Sequence, residues 1–122
     1  MRLVLFAGML CFCLAVTKGL AQAPPQMSLE GSWTFIWDNN SKNTNAGNLK
    51  QGAGTFTGTY INDAKENCPL VGRMTSPTAI TMAIVCPRWE IRADGSITNS
   101  QLVVGNYVAY GSSKGTFQMS RK

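Results

Sequence analysis

The stretch from Cys68 to Cys86 constrains the fold of this chain more than any other part of the sequence. Pro77 lies at its midpoint, within a run of Ser, Thr and Pro that is typical of a turn. If the chain folds back at Pro77, Cys68 lies opposite Cys86, and the other positions on that face are all apolar or glycine: Leu70, Gly72, Met74, Ile80, Met82 and Ile84. A slip of one residue would lose both features. The sequence therefore predicts a β-hairpin closed by one disulfide between Cys68 and Cys86.

Residues 1–23 have the arrangement of a secretory signal peptide. A positively charged start is followed by an apolar run and then by small residues that suit cleavage after Ala21 or Ala23. The apolar run is shorter than the roughly 20 residues that cross a membrane as a helix. We therefore expect a secreted protein, extracellular or periplasmic, with no membrane attachment after processing.

Processing would leave a single domain over residues 24–122 and would remove two of the four cysteines, Cys11 and Cys13. One disulfide is the usual result when two cysteines remain in a small exported domain. Closing a loop of this length is worth about 3 kcal/mol, a large part of the stability of such a domain.

Short β-type segments separated by Gly, Asn, Asp, Ser and Pro fill the chain from Leu29 onward. Trp33, Phe35 and Trp37 would share one face of the first strand, because side chains alternate along a strand. Glycines beside the aromatics of 54–61 indicate a strongly coiled strand. We predict an all-β fold of seven or eight short antiparallel strands, in a barrel or a sandwich. An up-and-down β-barrel is the simplest of these topologies, and its closure leaves no exposed edge.

Three connections are also predicted. Residues 38–52 are polar and rich in asparagine, which indicates a long loop with at most a weak strand near Leu49. Asp94-Gly95 indicates a hairpin turn with a returning strand over 97–104. Gly105-Asn106 indicates a further turn.

Catalytic and metal-binding chemistry has little basis in this composition. The sequence contains no histidine, and both remaining cysteines are used in the predicted disulfide, so the usual bases, thiol nucleophiles and zinc ligands are missing. Basic residues alternate with acidic ones and form no block, which argues against a nucleic-acid partner. We expect a binding protein, with no enzymatic activity, metal or cofactor.

Three motifs carry a resemblance to a known family: Leu29-Glu30-Gly31-Ser32-Trp33, Thr57-Gly58-Thr59-Tyr60 and Pro69-Leu70-Val71-Gly72. In order and spacing they are similar to motifs of the avidin and streptavidin family, over about residues 29–90. The resemblance implies a barrel that binds a small molecule such as biotin. Tyr60 would donate a hydrogen bond to the ureido oxygen, and Trp33 and Trp89 would be pocket walls.

Two positions depart from the family pattern. Phe35 stands where the family has an asparagine that binds the ureido group, and Phe117 replaces a late Asn or Asp. We therefore expect biotin binding to be weak or lost, because unpaired buried polar groups are costly. The candidate ligand-binding residues are Trp33, Phe35, Asn39, Tyr60 and Trp89. Asn39 also begins the glycosylation acceptor pattern Asn39-Asn40-Ser41.

An alternative remains open at this stage, because the same aromatics could fill a closed core. The protein would then act through its surface, for example as an inhibitor of an enzyme such as lysozyme with the 38–52 segment as its contact, or it would be a structural protein. The expected partner is thus a small biotin-like molecule or a protein, and self-association into a homo-oligomer is left open.

Overall fold

The computed structural model describes residues 28–110 and 112–122, and these residues form eight strands. The predicted signal peptide, 1–23, lies outside the described residues together with Cys11 and Cys13. Within the described part no helix is long and apolar enough to cross a membrane. The strands are β1 (Gly31–Trp37), β2 (Thr44–Gln51), β3 (Thr55–Ile61), β4 (Asn67–Ser76), β5 (Ala79–Cys86), β6 (Trp89–Asn99), β7 (Leu102–Ala109) and β8 (Ser113–Arg121).

Each strand pairs antiparallel with the next one in the chain, and β8 pairs with β1 to close the barrel. This confirms the predicted all-β, up-and-down barrel and sets the strand number at eight. Side chains alternate between the interior and the solvent along every strand. The predicted face of β1 is the interior one, where Trp33, Phe35 and Trp37 are all buried.

The β4–β5 hairpin has the register that the sequence predicts. Leu70 pairs with Ile84 and Met74 pairs with Ile80, and the register shifts only beyond Met74, beside the turn. The Cys68–Cys86 disulfide closes the open end of this hairpin, with the two Cα atoms 4.7 Å apart. The apolar pattern and the covalent link therefore specify the same pairing.

The prediction of a long loop over 38–52 was wrong. Strand β2 occupies Thr44–Gln51, so the connection after β1 is short. Gly47 and Leu49 are the buried positions of β2, and a Cβ at Gly47 would lie 2.6 Å from Cε1 of Phe35. The strand thus carries little apolar signal of its own, because the Phe35 ring fills the interior space above its glycine.

The two turns predicted after residue 90 were also misplaced. Asp94-Gly95 and Gly105-Asn106 lie within β6 and β7, where Gly95 pairs directly with Gly105. The turn between these strands lies near Ser100, where the Gln101 amide donates to Oδ1 of Asn99 (2.7 Å). Packing explains why a glycine lies inside a strand here and not in a turn: a Cβ on Gly95 would lie 3.1 Å from Cζ of Phe117.

The end of the barrel where the chain enters β1 is closed by side chains. Trp33 is fully buried there, and its Nε1 donates to the carbonyl of Leu29 (2.8 Å). The Arg121 guanidinium lies 4.3 Å from the centre of the Trp33 ring, in cation–π geometry. Arg121 also donates to the carbonyl oxygens of Ser28, Glu30 and Ser100. The pocket lined by Trp37 and Tyr60 lies at the opposite end.

Candidate functional site

The opposite end of the barrel, where the connections after β1, β3, β5 and β7 meet, is open and is called the mouth here. It holds a pocket of about 330 Å³. Its lining combines aromatic, polar and small or aliphatic residues: Trp37, Tyr60, Trp89, Tyr107 and Tyr110; Asn43, Asn45, Asn62, Asp63 and Arg88; Ala64, Ile91 and Ala109. Aromatic walls with a few polar groups are typical of small-molecule sites.

Tyr60, at 2% exposure, is the most buried residue that lines the pocket, and its hydroxyl forms a hydrogen bond there. Trp37 Nε1 donates to Oη of Tyr60 (3.0 Å) and also to Oδ1 of Asn45 (3.1 Å). The Asn45 amide donates in turn to the carbonyl of Ile61 and to Asp63. Among the described residues Tyr60 thus accepts one hydrogen bond and donates none. Its proton is available to an acceptor in the pocket.

Two aromatic contacts form the walls. The Tyr107 ring packs edge-on against Trp37, with centroids 5.0 Å apart, and Tyr60 packs in the same way against Phe35 at 5.2 Å. At the rim, Trp89 contacts Tyr110 at 5.6 Å. The pocket is therefore lined by aromatic rings that pack against one another or against the core.

Among the described residues, the charged side chains that line the pocket are Asp63 and Arg88. Asp63 accepts from Asn45, and Arg88 forms a loose ion pair with Glu66 at 3.8 Å. Asn62, which is buried, donates to the same Glu66 carboxylate. Because the described residues place no cation beside Tyr60, the deep end suits a neutral acceptor better than an anion.

The disulfide lies in the same layer of the barrel as two predicted ligand residues. Tyr60 pairs with Cys68, and Cys86 pairs with Trp89. A row of four interior positions therefore crosses β3, β4, β5 and β6, with the covalent link at its centre. The disulfide fixes the spacing between Tyr60 and Trp89.

The structure brings two of the five predicted ligand residues to the pocket. Tyr60 and Trp89 line it, whereas Trp33 lies at the closed end. Phe35 is fully buried below Tyr60 and forms part of the core. Asn39 lies outside the pocket, where its Oδ1 accepts from Nε2 of Gln118 (3.1 Å).

Four further lining residues were not among the five candidates: Trp37, Asn45, Tyr107 and Tyr110. The three aromatics of this set were among those that could either line a site or fill the core, but no local motif distinguishes an aromatic at the mouth from one in the core. The useful signal is position, because Trp37, Tyr107 and Tyr110 lie at or near the ends of β1 and β7 that reach the mouth. Asn45 was hidden by the loop prediction for 38–52.

No group of three or more His, Cys, Asp or Glu side chains that could hold an ion occurs in the described part of the chain. The arrangement offers hydrogen bonds and aromatic contacts, which are the means of binding a small molecule reversibly.

Two tyrosines of the pocket should resist ionisation. Burial raises the pKa of Tyr60 strongly from its usual value of 10.0. Burial also raises the pKa of Tyr107, and so do its hydrogen bond to Asp38 and the charge of Asp38. Below the pKa of the unfolded tyrosine, both states are protonated and the stability does not depend on this group. Above that pKa the unfolded tyrosine loses its proton and the folded one keeps it, so the stability falls as the pH rises.

We therefore expect the free energy of unfolding to decrease above about pH 10, where the unfolded tyrosines release protons and the folded ones retain them. Denaturant unfolding from pH 8 to pH 11 measures this, and Tyr60→Phe should flatten the decrease. Phenolate absorbance should appear at higher pH in the folded protein than in urea. Coincident titration curves in both states would contradict the expectation.

Comparison with known proteins supports the fold and assigns no family. No protein-family model matches the chain, and no curated protein matches it. Among solved structures the chain is similar to a redesigned β-barrel, with a TM-score of 0.61 and 13% sequence identity over 77% of this chain and 91% of that chain. At this identity the likeness shows the fold alone, a small β-barrel.

Proposed function

We propose that this chain is a secreted binding protein without catalytic activity, which holds a small neutral molecule in the mouth pocket. The observation that carries the proposal is the Tyr60 hydroxyl, buried at the base of an open aromatic pocket with its proton uncommitted. In an open pocket this hydroxyl can donate to water, and a ligand with a carbonyl or similar acceptor would take the place of that water.

The proposed ligand has three features that follow from the pocket. It carries an uncharged acceptor for Tyr60, a flat or apolar body that fits between Trp37, Tyr107 and Trp89, and any charged group at its outer end, near Arg88 and Asp63. A pocket of about 330 Å³ lies at the small end of typical ligand sites. Biotin-like molecules belong to this class, in line with the avidin resemblance.

Biotin itself should bind weakly or not at all. The positions where the avidin family has polar partners for the ureido group hold Phe35 and Phe117, and both rings are fully buried in this core. Each missing partner for a buried polar group costs about 1–3 kcal/mol. Isothermal calorimetry with biotin should give a dissociation constant weaker than about 1 μM. Sub-micromolar affinity would refute this prediction.

A ligand screen with tryptophan fluorescence tests the pocket itself. Trp37 and Trp89 line it, so compounds that enter should change the emission, whereas Trp33 at the closed end is a constant background. Tyr60→Phe should weaken true ligands about tenfold, because it removes one buried hydrogen bond. Thr59→Ala, on the exposed face of the same strand, is the matched control.

The surface-acting alternative would be favoured by a different result. If no neutral aromatic or ureido compound changed the fluorescence, and the immobilised chain retained an enzyme such as lysozyme from a purified mixture, the pocket would be incidental. The corrected extent of β2 reduces the loop available for such a contact to the short connection between Trp37 and Thr44.

A further inference from the structure

One acidic side chain links two strands at the mouth without lining the pocket. Asp38 follows β1 directly, and its Oδ2 accepts a hydrogen bond from the Tyr107 hydroxyl of β7 (2.9 Å). Its Oδ1 accepts from the Thr116 amide of β8 (3.2 Å), and its own amide donates to the Thr116 carbonyl (2.7 Å). The carboxylate is therefore held from both sides, and it reaches Tyr107 across β8.

Gly115 makes this reach possible. A Cβ at Gly115 would lie 2.0 Å from Oδ1 of Asp38 and 2.8 Å from Cε1 of Tyr107. The Asp38 carboxylate and the Tyr107 ring thus occupy the space that a side chain at this position would need. Asp38 also has a left-handed backbone, with φ of 55°. Aspartate adopts this conformation more readily than most residues, at some cost in free energy.

The partner of Asp38 is a wall of the pocket. The Tyr107 ring lines the pocket and packs against Trp37, whose Nε1 in turn donates to the Tyr60 hydroxyl. Tyr107 is only partly buried, so core packing covers only part of its ring and its hydroxyl adds a second constraint on the ring position. Asp38 accepts the hydrogen bond of the Tyr107 hydroxyl from outside the pocket. A chain of contacts therefore links Asp38 through Tyr107 and Trp37 to Tyr60.

We infer that Asp38 is a positioning residue of the mouth pocket, which fixes the aromatic wall of Tyr107 and Trp37 by holding the Tyr107 hydroxyl. The inference rests on the proposed function, and it adds a residue that touches no ligand. The gain in affinity comes from preorganisation, because a ligand that meets a fixed wall does not have to order it on binding.

Four variants of the full chain test this. Asp38→Ala removes the hold, and Asp38→Asn keeps a polar side chain that can contact both Tyr107 Oη and Thr116 N. Gly115→Ala displaces the carboxylate from the opposite side. Asn106→Ala is the matched control, since Asn106 is exposed on β7 next to Tyr107.

The binding probe is Nile red, a neutral flat dye with a carbonyl acceptor, whose fluorescence rises when it leaves water. We expect Asp38→Ala and Gly115→Ala to weaken its binding at least about fivefold, and Asp38→Asn and Asn106→Ala to stay within about twofold of wild type. Equal affinity in wild type and Asp38→Ala would overturn the inference, and so would an Asp38→Asn variant as weak as Asp38→Ala.

A second readout needs no ligand. Because Asp38 contributes to the raised pKa of Tyr107, Asp38→Ala should shift one phenol titration to lower pH while the Tyr60 titration stays in place. An unchanged titration would overturn the hold on Tyr107. If wild type binds no Nile red although the titration shifts as expected, the proposed function fails, and the positioning of Tyr107 stands as a property of the fold.

Discussion

Gly58→Ala is expected to lower the free energy of unfolding by about 2–3 kcal/mol, the upper part of the range for overpacking a core. A Cβ at this position would lie 1.9 Å from the backbone carbonyl oxygen of Asn48 and 2.9 Å from a methyl carbon of Leu49. The obstacle is the backbone of β2, not a flexible side chain. Strands β2 and β3 would have to separate within a closed barrel, where no edge can take up the movement.

Thermal and urea unfolding of the purified domain measure this effect. A loss of this size corresponds to a decrease in melting temperature of about 10–20 °C for a domain of this length. Thr57→Ala is the control, because Thr57 lies on the exposed face of β3 beside Gly58, and its loss should be below about 1 kcal/mol. A Gly58→Ala variant as stable as this control would show that β2 is not held where the barrel places it.

Loss of the disulfide is the second large effect. The double variant Cys68→Ala/Cys86→Ala should be less stable than wild type by about 3 kcal/mol, because the unfolded chain regains the freedom of an open loop. The loop spans a sequence separation of 18 residues. Both cysteines are almost fully buried, at 0% and 4% exposure, so lost packing adds to the effect.

The same variant should affect the pocket. Cys68 and Cys86 lie between their pairing partners Tyr60 and Trp89, so without the link these two lining residues are spaced by hydrogen bonds alone. We expect dithiothreitol to lower the melting temperature of wild type toward that of the double variant and to leave the double variant unchanged. An oxidised wild type no more stable than the double variant would contradict the role of the disulfide.

The sequence predicts the β4–β5 hairpin much more completely than it predicts the mouth pocket. The hairpin was predictable in register because its constraints are local: a turn at Pro77, alternating apolar residues, and two cysteines at equal distances from the turn. Strand β2 was missed since its fully buried positions are a glycine and one leucine. Its β-structure depends on Phe35, which fills the space above Gly47 from another strand.

The pocket residues could be predicted from the sequence only in part. Tyr60 could be singled out because of a motif, and Trp89 because of a resemblance. Tyr107 and Asp38 could not be paired from the sequence, because they are 69 positions apart and meet only when β8 closes the barrel between them.

The sequence by itself determined the all-β class, the buried face of β1, and the register and disulfide of the β4–β5 hairpin, because these depend on side-chain alternation and on contacts between neighbours in the chain. Only the tertiary structure decided which aromatics fill the core and which surround an opening. That outcome depends on the stagger of strands around a closed barrel, which places the ends of β1, β3, β5 and β7 at one mouth. Phe35 and Tyr60 look alike in sequence, yet one completes the core and the other presents its hydroxyl to the pocket.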